Sequence, residues 1–188
     1  MSVGTFDLAI GTVAVVLTAL AVKDLDDFVD AGRADDHRPV YAAMLLAMAG
    51  LVAARFALPF FVAAWCVGMR HDLTRRLPSG LTGLWESILG LTACALLAGP
   101  IATVTAVAAV TGGQLLDDVL DAARDRQAGR LNWAHRLEPL PAACFGLALL
   151  AVASFLDVAR AMAFLVGLAT VWLSDGTWLT LWRGRGAA

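Results

Sequence analysis

Residues 138–174 read EPLPAACFGLALLAVASFLDVARAMAFLVGLATVWLS, and the length of this apolar block decides the fold. A membrane-spanning helix needs roughly 17 to 25 residues. As one helix rising about 1.5 Å per residue, the block would overshoot the bilayer and leave Asp157 and Arg160 near its midplane, at a cost of several kcal/mol each. It is therefore expected to fold back on itself at Phe155 to Arg160.

Three further apolar blocks lie upstream, at 5–22, 39–69 and 82–113. The first has the length of one span. The second is expected to break at Arg55 to Pro59, and the third at Gly99 and Pro100, the residue types that most readily end or kink a helix. Some of the resulting arms are short enough to imply tilt or a thinned bilayer. The count becomes seven helices. With the amino terminus outside, the inner segments 23–38, 70–81, 114–137 and the carboxyl tail hold every Lys and Arg except Arg55 and Arg160. That asymmetry is what the positive-inside rule expects. Unbroken blocks would instead send RHDLTRR and RGRG outside. Trp172, Trp178 and Trp182 read as interfacial anchors near the last helix end.

Composition agrees with a lipid-bilayer setting. Hydrophobic residues make up 60% of the 188, charged ones 16%, and mean hydropathy is +0.74. The expected fold is an all-α integral membrane protein, one membrane domain over 1–188, multi-pass in the cell membrane. A net charge of −2 lacks the basic footprint of a nucleic-acid partner. Cys66, Cys94 and Cys144 lie singly in apolar runs, without the spacing of a disulfide framework or zinc site. No basic region precedes the first apolar run, so a cleaved signal peptide is not expected.

Two acidic stretches interrupt this apolar chain, both cytoplasmic in the expected topology. LDDFVDAGRAD at 25–35 resembles LDDVLDAARDR at 116–126: Leu25, Asp26, Asp27, Asp30, Ala31 and Arg33 recur as Leu116, Asp117, Asp118, Asp121, Ala122 and Arg124. The pattern suggests two pseudo-repeats, near 1–91 and 92–182, facing each other across one site. At about 100° per residue, Asp118, Asp121 and Asp125 fall within about 60° of one another on one helical face. Asp24, Asp27 and Asp30 trace a broader stripe. Carboxylates one turn apart repel unless a cation lies between them. Magnesium suits them, because it takes hard oxygen ligands and is commonly shared between one or two carboxylates and substrate phosphates. Arg33, Arg38, Arg124, Arg126 and Arg130 lie in the same stretches and offer forked hydrogen bonds to phosphate oxygens. The alternative for any one of these residues is a solvated loop charge.

These motifs resemble those of the UbiA superfamily of intramembrane prenyltransferases. DVLDAARDRQAGRLNWAHRL resembles the family's second motif, DxxDxxxD followed by a short basic stretch and Gly, with Asp118, Asp121 and Asp125 in register and then Arg126, Gly129 and Arg130. KDLDDFVDAGRADDHRP resembles the first, NDxxDxxxD with an Arg-Pro pair, through Asp24, Asp27 and Arg38-Pro39. Lys23 stands in the place of the Asn and Ala31 in the place of the third Asp, with Asp30 adjacent. RHDLTRRLPSG, with Arg75 and Arg76, is similar to the family's basic connection between halves. Family members usually have nine helices, so the chain is short of the first and the last.

The resemblance implies about seven transmembrane helices around a central cavity and a prenyl diphosphate substrate whose tail lies in an apolar tunnel. It implies magnesium on Asp24, Asp27, Asp30, Asp118 and Asp121, with Asp125 either on magnesium or orienting a neighbour, and Arg38 and Arg130 on the diphosphate. Lys23 is expected either on the diphosphate or paired with Asp27, and Arg33, Arg124 and Arg126 nearby on phosphate oxygens. The implied reaction is transfer of the prenyl group to an acceptor within the membrane, by a chain that is either minimal and homo-oligomeric or altered in chemistry. Alternatives are a membrane terpene cyclase or prenyl diphosphate lyase with the same site, and a non-catalytic membrane protein with a degenerate site. A CDP-alcohol phosphotransferase is disfavoured, since DDFVDAGRA has that motif's residues in the wrong order.

Overall fold

The computed structural model describes residues 5–31, 37–68, 72–128 and 132–174. Seven helices occur among them: α1 (Thr5–Ala31), α2 (Arg38–Gly68), α3 (Gly83–Ala98), α4 (Pro100–Ala128), α5 (Trp133–Leu137), α6 (Pro139–Leu156) and α7 (Val158–Ser174). No strand is present among the described residues, apart from an isolated bridge between Arg76 and Thr82. By length and composition, Thr5–Val29, Arg38–Gly68 and Pro139–Leu156 suit a membrane crossing, while Gly83–Ala98 and Val158–Ser174 are shorter apolar helices.

Each long apolar block breaks over a single residue. Gly99 separates α3 from α4 with φ 98° and ψ 150°, a conformation essentially confined to glycine, and Pro100 begins the next helix where its missing N–H costs nothing. The chain reverses there. Cys94 and Thr103 would stand about 13 Å apart along a straight helix, yet the Thr103 hydroxyl reaches Cys94 Sγ at 3.3 Å. Asp157 separates α6 from α7, inside the expected interval. Its backbone ends α6, its Oδ1 accepts the Arg160 N–H at 3.1 Å, and its carboxylate pairs with the Arg160 guanidinium. The two charges that argued for a break thus neutralise each other at it.

The second break differs in position from the expected one. Helical geometry is lost at Ala53 (φ −159°, ψ 79°), and Pro59 lies inside the resumed helix. Proline disturbs the turn before it, by removing one hydrogen bond and crowding the carbonyl four residues earlier. The distortion at Ala53 lies upstream of Arg55, beyond the carbonyl that Pro59 crowds.

The chain divides into two compact units, Met1–Phe61 with Met162–Ala188, and Val62–Ala161. In the first, Ala14, Ala49 and Ala57 form a buried cluster flanked by Leu17, Ala53 and Phe56, and Phe60 stacks on Phe164 with centroids 5.6 Å apart. In the second, α4 packs mainly on α6, with α3 and α5 also against α4. The interior is made of small side chains. Alanines 14, 21, 42, 49, 63, 106, 109, 142, 153 and 163 are fully buried, while Phe155 is 90% and Leu51 88% exposed. Small residues let helix backbones approach closely, and large apolar ones face outward, an arrangement compatible with helices solvated by lipid.

The backbones of α4 and α6 approach closely. A Cβ added at Gly112 would lie 2.8 Å from the Gly146 carbonyl oxygen, and one added at Gly146 would lie 3.0 Å from that of Gly112. Between α5 and α6, Glu138 has φ 68° and ψ 149°, which strains any residue carrying a Cβ. Glu138→Gly is expected to raise the unfolding free energy by about 1 kcal/mol, measurable as a higher thermal midpoint in detergent.

Candidate functional site

The second acidic stretch lies on the last three turns of α4 and is fastened to the short helix that follows. Asp118, only 7% exposed, is the centre of the contacts. Gln114, one turn earlier, donates from Nε2 to its Oδ1 at 3.0 Å, and the main-chain N–H of Trp133 donates to its Oδ2 at 2.9 Å. Asn132 supplies the remaining links. Its amide nitrogen donates to the Asp118 main-chain oxygen at 2.8 Å and to Asp125 Oδ2 at 2.6 Å, and its Oδ1 accepts the Ala134 N–H at 2.7 Å, capping α5. His135 adds a 2.8 Å contact from Nε2 to the Ala122 carbonyl. Asp121, on the intervening turn, and Asp125 are half-buried, and Arg126 is exposed.

Gln114 and Trp133 also line an apolar cleft of about 220 Å³, completed by Val67, Thr111, Leu115, Leu137 and Phe145. Both residues that donate to Asp118 therefore form part of the cleft wall. The cleft is smaller than the roughly 300 to 1,000 Å³ of a typical drug-sized ligand site.

The first acidic stretch lies in the other unit, at the end of α1. Lys23 Nζ donates to Asp27 Oδ1, one of the two roles expected for it, and Arg38 at the start of α2 approaches Asp27 Oδ2 at 4.0 Å. Asp24 is half-buried one turn before Asp27. The two stretches share a contact plan. In the alignment that matches Asp27 with Asp118, Lys23 falls on Gln114, and both donate to Oδ1 of the aspartate four residues on. One donor is a cation and the other a neutral amide. Arg33 and Arg130 lie outside the described residues, as do the side chains of Asp30 and Arg124.

Among the described residues, no three Asp, Glu, His or Cys side chains gather closely enough to hold one metal ion. A closed protein cage is not formed. Magnesium is more often held by one or two carboxylates with water and substrate phosphate, and Asp118 and Asp125 offer hard oxygens of that kind. A carboxylate has about four lone-pair sites, so the donors from Gln114 and Trp133 do not by themselves exhaust Asp118. Carboxylate oxygens are the donor type that a metal in this open mode takes.

The sequence-level reading did not include Gln114 and Asn132. Gln114 carried a signal in its spacing of one turn before Asp118, matching Lys23 before Asp27. Asn132 carried one as a capping residue type directly before WAHRL. The chain was compared with protein-family profiles, curated proteins and solved structures, and none matches it.

Proposed function

We propose that this chain is a magnesium-dependent membrane enzyme that takes a prenyl diphosphate and transfers its prenyl group to an acceptor. The observation that carries the reading is the junction of an apolar cleft with a buried carboxylate, through Gln114 and Trp133, which belong to both. A substrate with an apolar chain and a metal-bound anionic head matches such a junction. In this reading the protein crosses the membrane seven times with the amino terminus outside, and both acidic stretches face the cytoplasm. The α4 stretch, through Asp118, Asp121 and Asp125, holds magnesium, and Asp24, Asp27 and Asp30 of the first stretch are proposed as magnesium ligands in their own unit. When bound, magnesium supplies charge that offsets the negative charge gathering on a departing diphosphate.

The protein's own residues orient the substrate. Leu115, Leu137 and Phe145 offer an apolar wall to the chain's first carbons. In the other unit Lys23 and Arg38, now on Asp27, are cations of the kind that phosphate oxygens accept from. Arg33, Arg124, Arg126 and Arg130 are proposed as further phosphate contacts.

The test is diphosphate release from a panel of prenyl diphosphates by purified protein, with and without magnesium. Release is expected to need magnesium and to fall about a hundredfold in Asp121→Asn, by analogy with the loss of one transition-state contact. No release at any chain length, or equal release from the variant, would sink the proposal. Product analysis separates transfer from cyclisation or elimination, which use the same site without an acceptor. A second reading, a non-catalytic membrane protein, is favoured by one observation: hydrogen bonds to Asp118 Oδ2, to the Asp118 main-chain oxygen and to Asp125 fasten α5 onto α4. That reading predicts no release.

A further inference from the structure

We infer that Asn132 is a positioning residue for the Asp125 carboxylate, which it ties to the Asp118 main chain, over and above its role in capping α5. The inference rests on the proposed reading, in which Asp118 and Asp125 hold magnesium.

Asp118 and Asp125 lie seven residues apart on α4, about two turns, and so on nearly the same face. A helix fixes their Cα positions and leaves the carboxylate rotamers open. Asn132 reaches both from outside the helix. It is 4% exposed, and its amide nitrogen touches the Asp118 carbonyl oxygen and the Asp125 carboxylate at once. The next residue contributes the main-chain N–H that holds Asp118 Oδ2. Two consecutive residues therefore set one oxygen of each carboxylate.

The chemistry calls for an amide at this position. Its NH₂ supplies two hydrogens for two acceptors, while its carbonyl caps Ala134. Serine or threonine accepts from the helix start equally well but cannot bridge the two acceptors as the amide does. Capping and positioning are thereby separable by substitution. Outer partners that orient metal-binding carboxylates typically contribute 10- to 100-fold to metal affinity or activity, so an effect of about tenfold is expected here.

The experiment follows Mn²⁺ binding to the purified full chain by electron paramagnetic resonance, alongside thermal unfolding. Asn132→Ser is expected to keep helix content and to bind Mn²⁺ about tenfold more weakly. Asn132→Thr is a second capping variant without the amide, with the same expectation, should the serine chain not fold. His135→Ala, which removes the α5 contact to the Ala122 carbonyl, is expected to lower stability without changing Mn²⁺ affinity. Native affinity in the capping variants, or an equal loss in His135→Ala, overturns the positioning role and leaves Asn132 a fastening for α5. Native protein that binds no Mn²⁺ overturns the metal reading itself, and the positioning role with it.

Discussion

Asp118→Leu is expected to destabilise the protein by about 3 kcal/mol, because it removes the carboxylate that accepts a backbone donor in the first turn of a helix. The Trp133 N–H lies in the first turn of α5, where no carbonyl of its own helix can accept it, and Asp118 Oδ2 is its acceptor. Losing a buried hydrogen bond to a charged group costs roughly 1.5 to 3 kcal/mol, and leaving its partner unsatisfied adds to that. Gln114 contributes less, since its side chain can rotate. Asp118→Asn should cost only about 1 kcal/mol, because the amide retains one acceptor oxygen for Trp133 while its nitrogen faces the Gln114 donor. Thermal unfolding of both variants in detergent, with hydrogen exchange at the Trp133 amide, gives the comparison. Equal stability of the leucine variant and the native chain would contradict the hydrogen-bonding pattern on which the site is built.

Gly112→Val is expected to cost about 3 kcal/mol or more. Alanine at this position gains up to about 1 kcal/mol of helix propensity over glycine, but its Cβ would press on the Gly146 carbonyl oxygen at 2.8 Å. Backbone cannot swing aside as a side chain can. Overpacking of this kind costs roughly 1 to 3 kcal/mol, so alanine comes out mildly unfavourable, and valine, with two further methyls and a restricted rotamer in a helix, severely so. Leu149 and Leu150 stand on either side of Gly112, and Leu115 and Leu116 on either side of Gly146, closing the obvious escapes. The two sites also couple. Once Gly112→Ala has separated α4 from α6, adding Gly146→Ala should cost less than it does alone. Strictly additive losses would mean that the helices do not meet at these glycines.

The distance between sequence and structure varied with the range of the interactions. The breaks at Gly99 and Asp157 were legible because local chemistry makes them: a conformation favouring glycine followed by proline, and charges that cannot remain inside an apolar helix. Ala53 was not legible, because alanine is the best intrinsic helix former and the distortion there is imposed by neighbouring residues. The Lys23 and Asp27 pair was one of two roles open to Lys23 in the sequence. The fastening of α5 did not, because a five-residue helix leaves almost no periodic signal, and Asn132 meets Asp125 only through a tertiary turn. The aspartates stood out as a motif, but their present hydrogen-bond partners depend on how the chain returns. The alanine interior was hidden for a different reason: hydropathy measures greasiness, whereas burial here follows smallness.

The single-residue reversal at Gly99 bears on how the protein is made. In the proposed topology, α3 and α4 meet with no loop between them, so there is no extracellular segment to translocate separately, to carry a glycan or to meet a protease. The second arm cannot wait outside while the first is threaded. The pair must enter the bilayer as one closed hairpin, and a tag inserted after Gly99 would test insertion itself before it reported on topology.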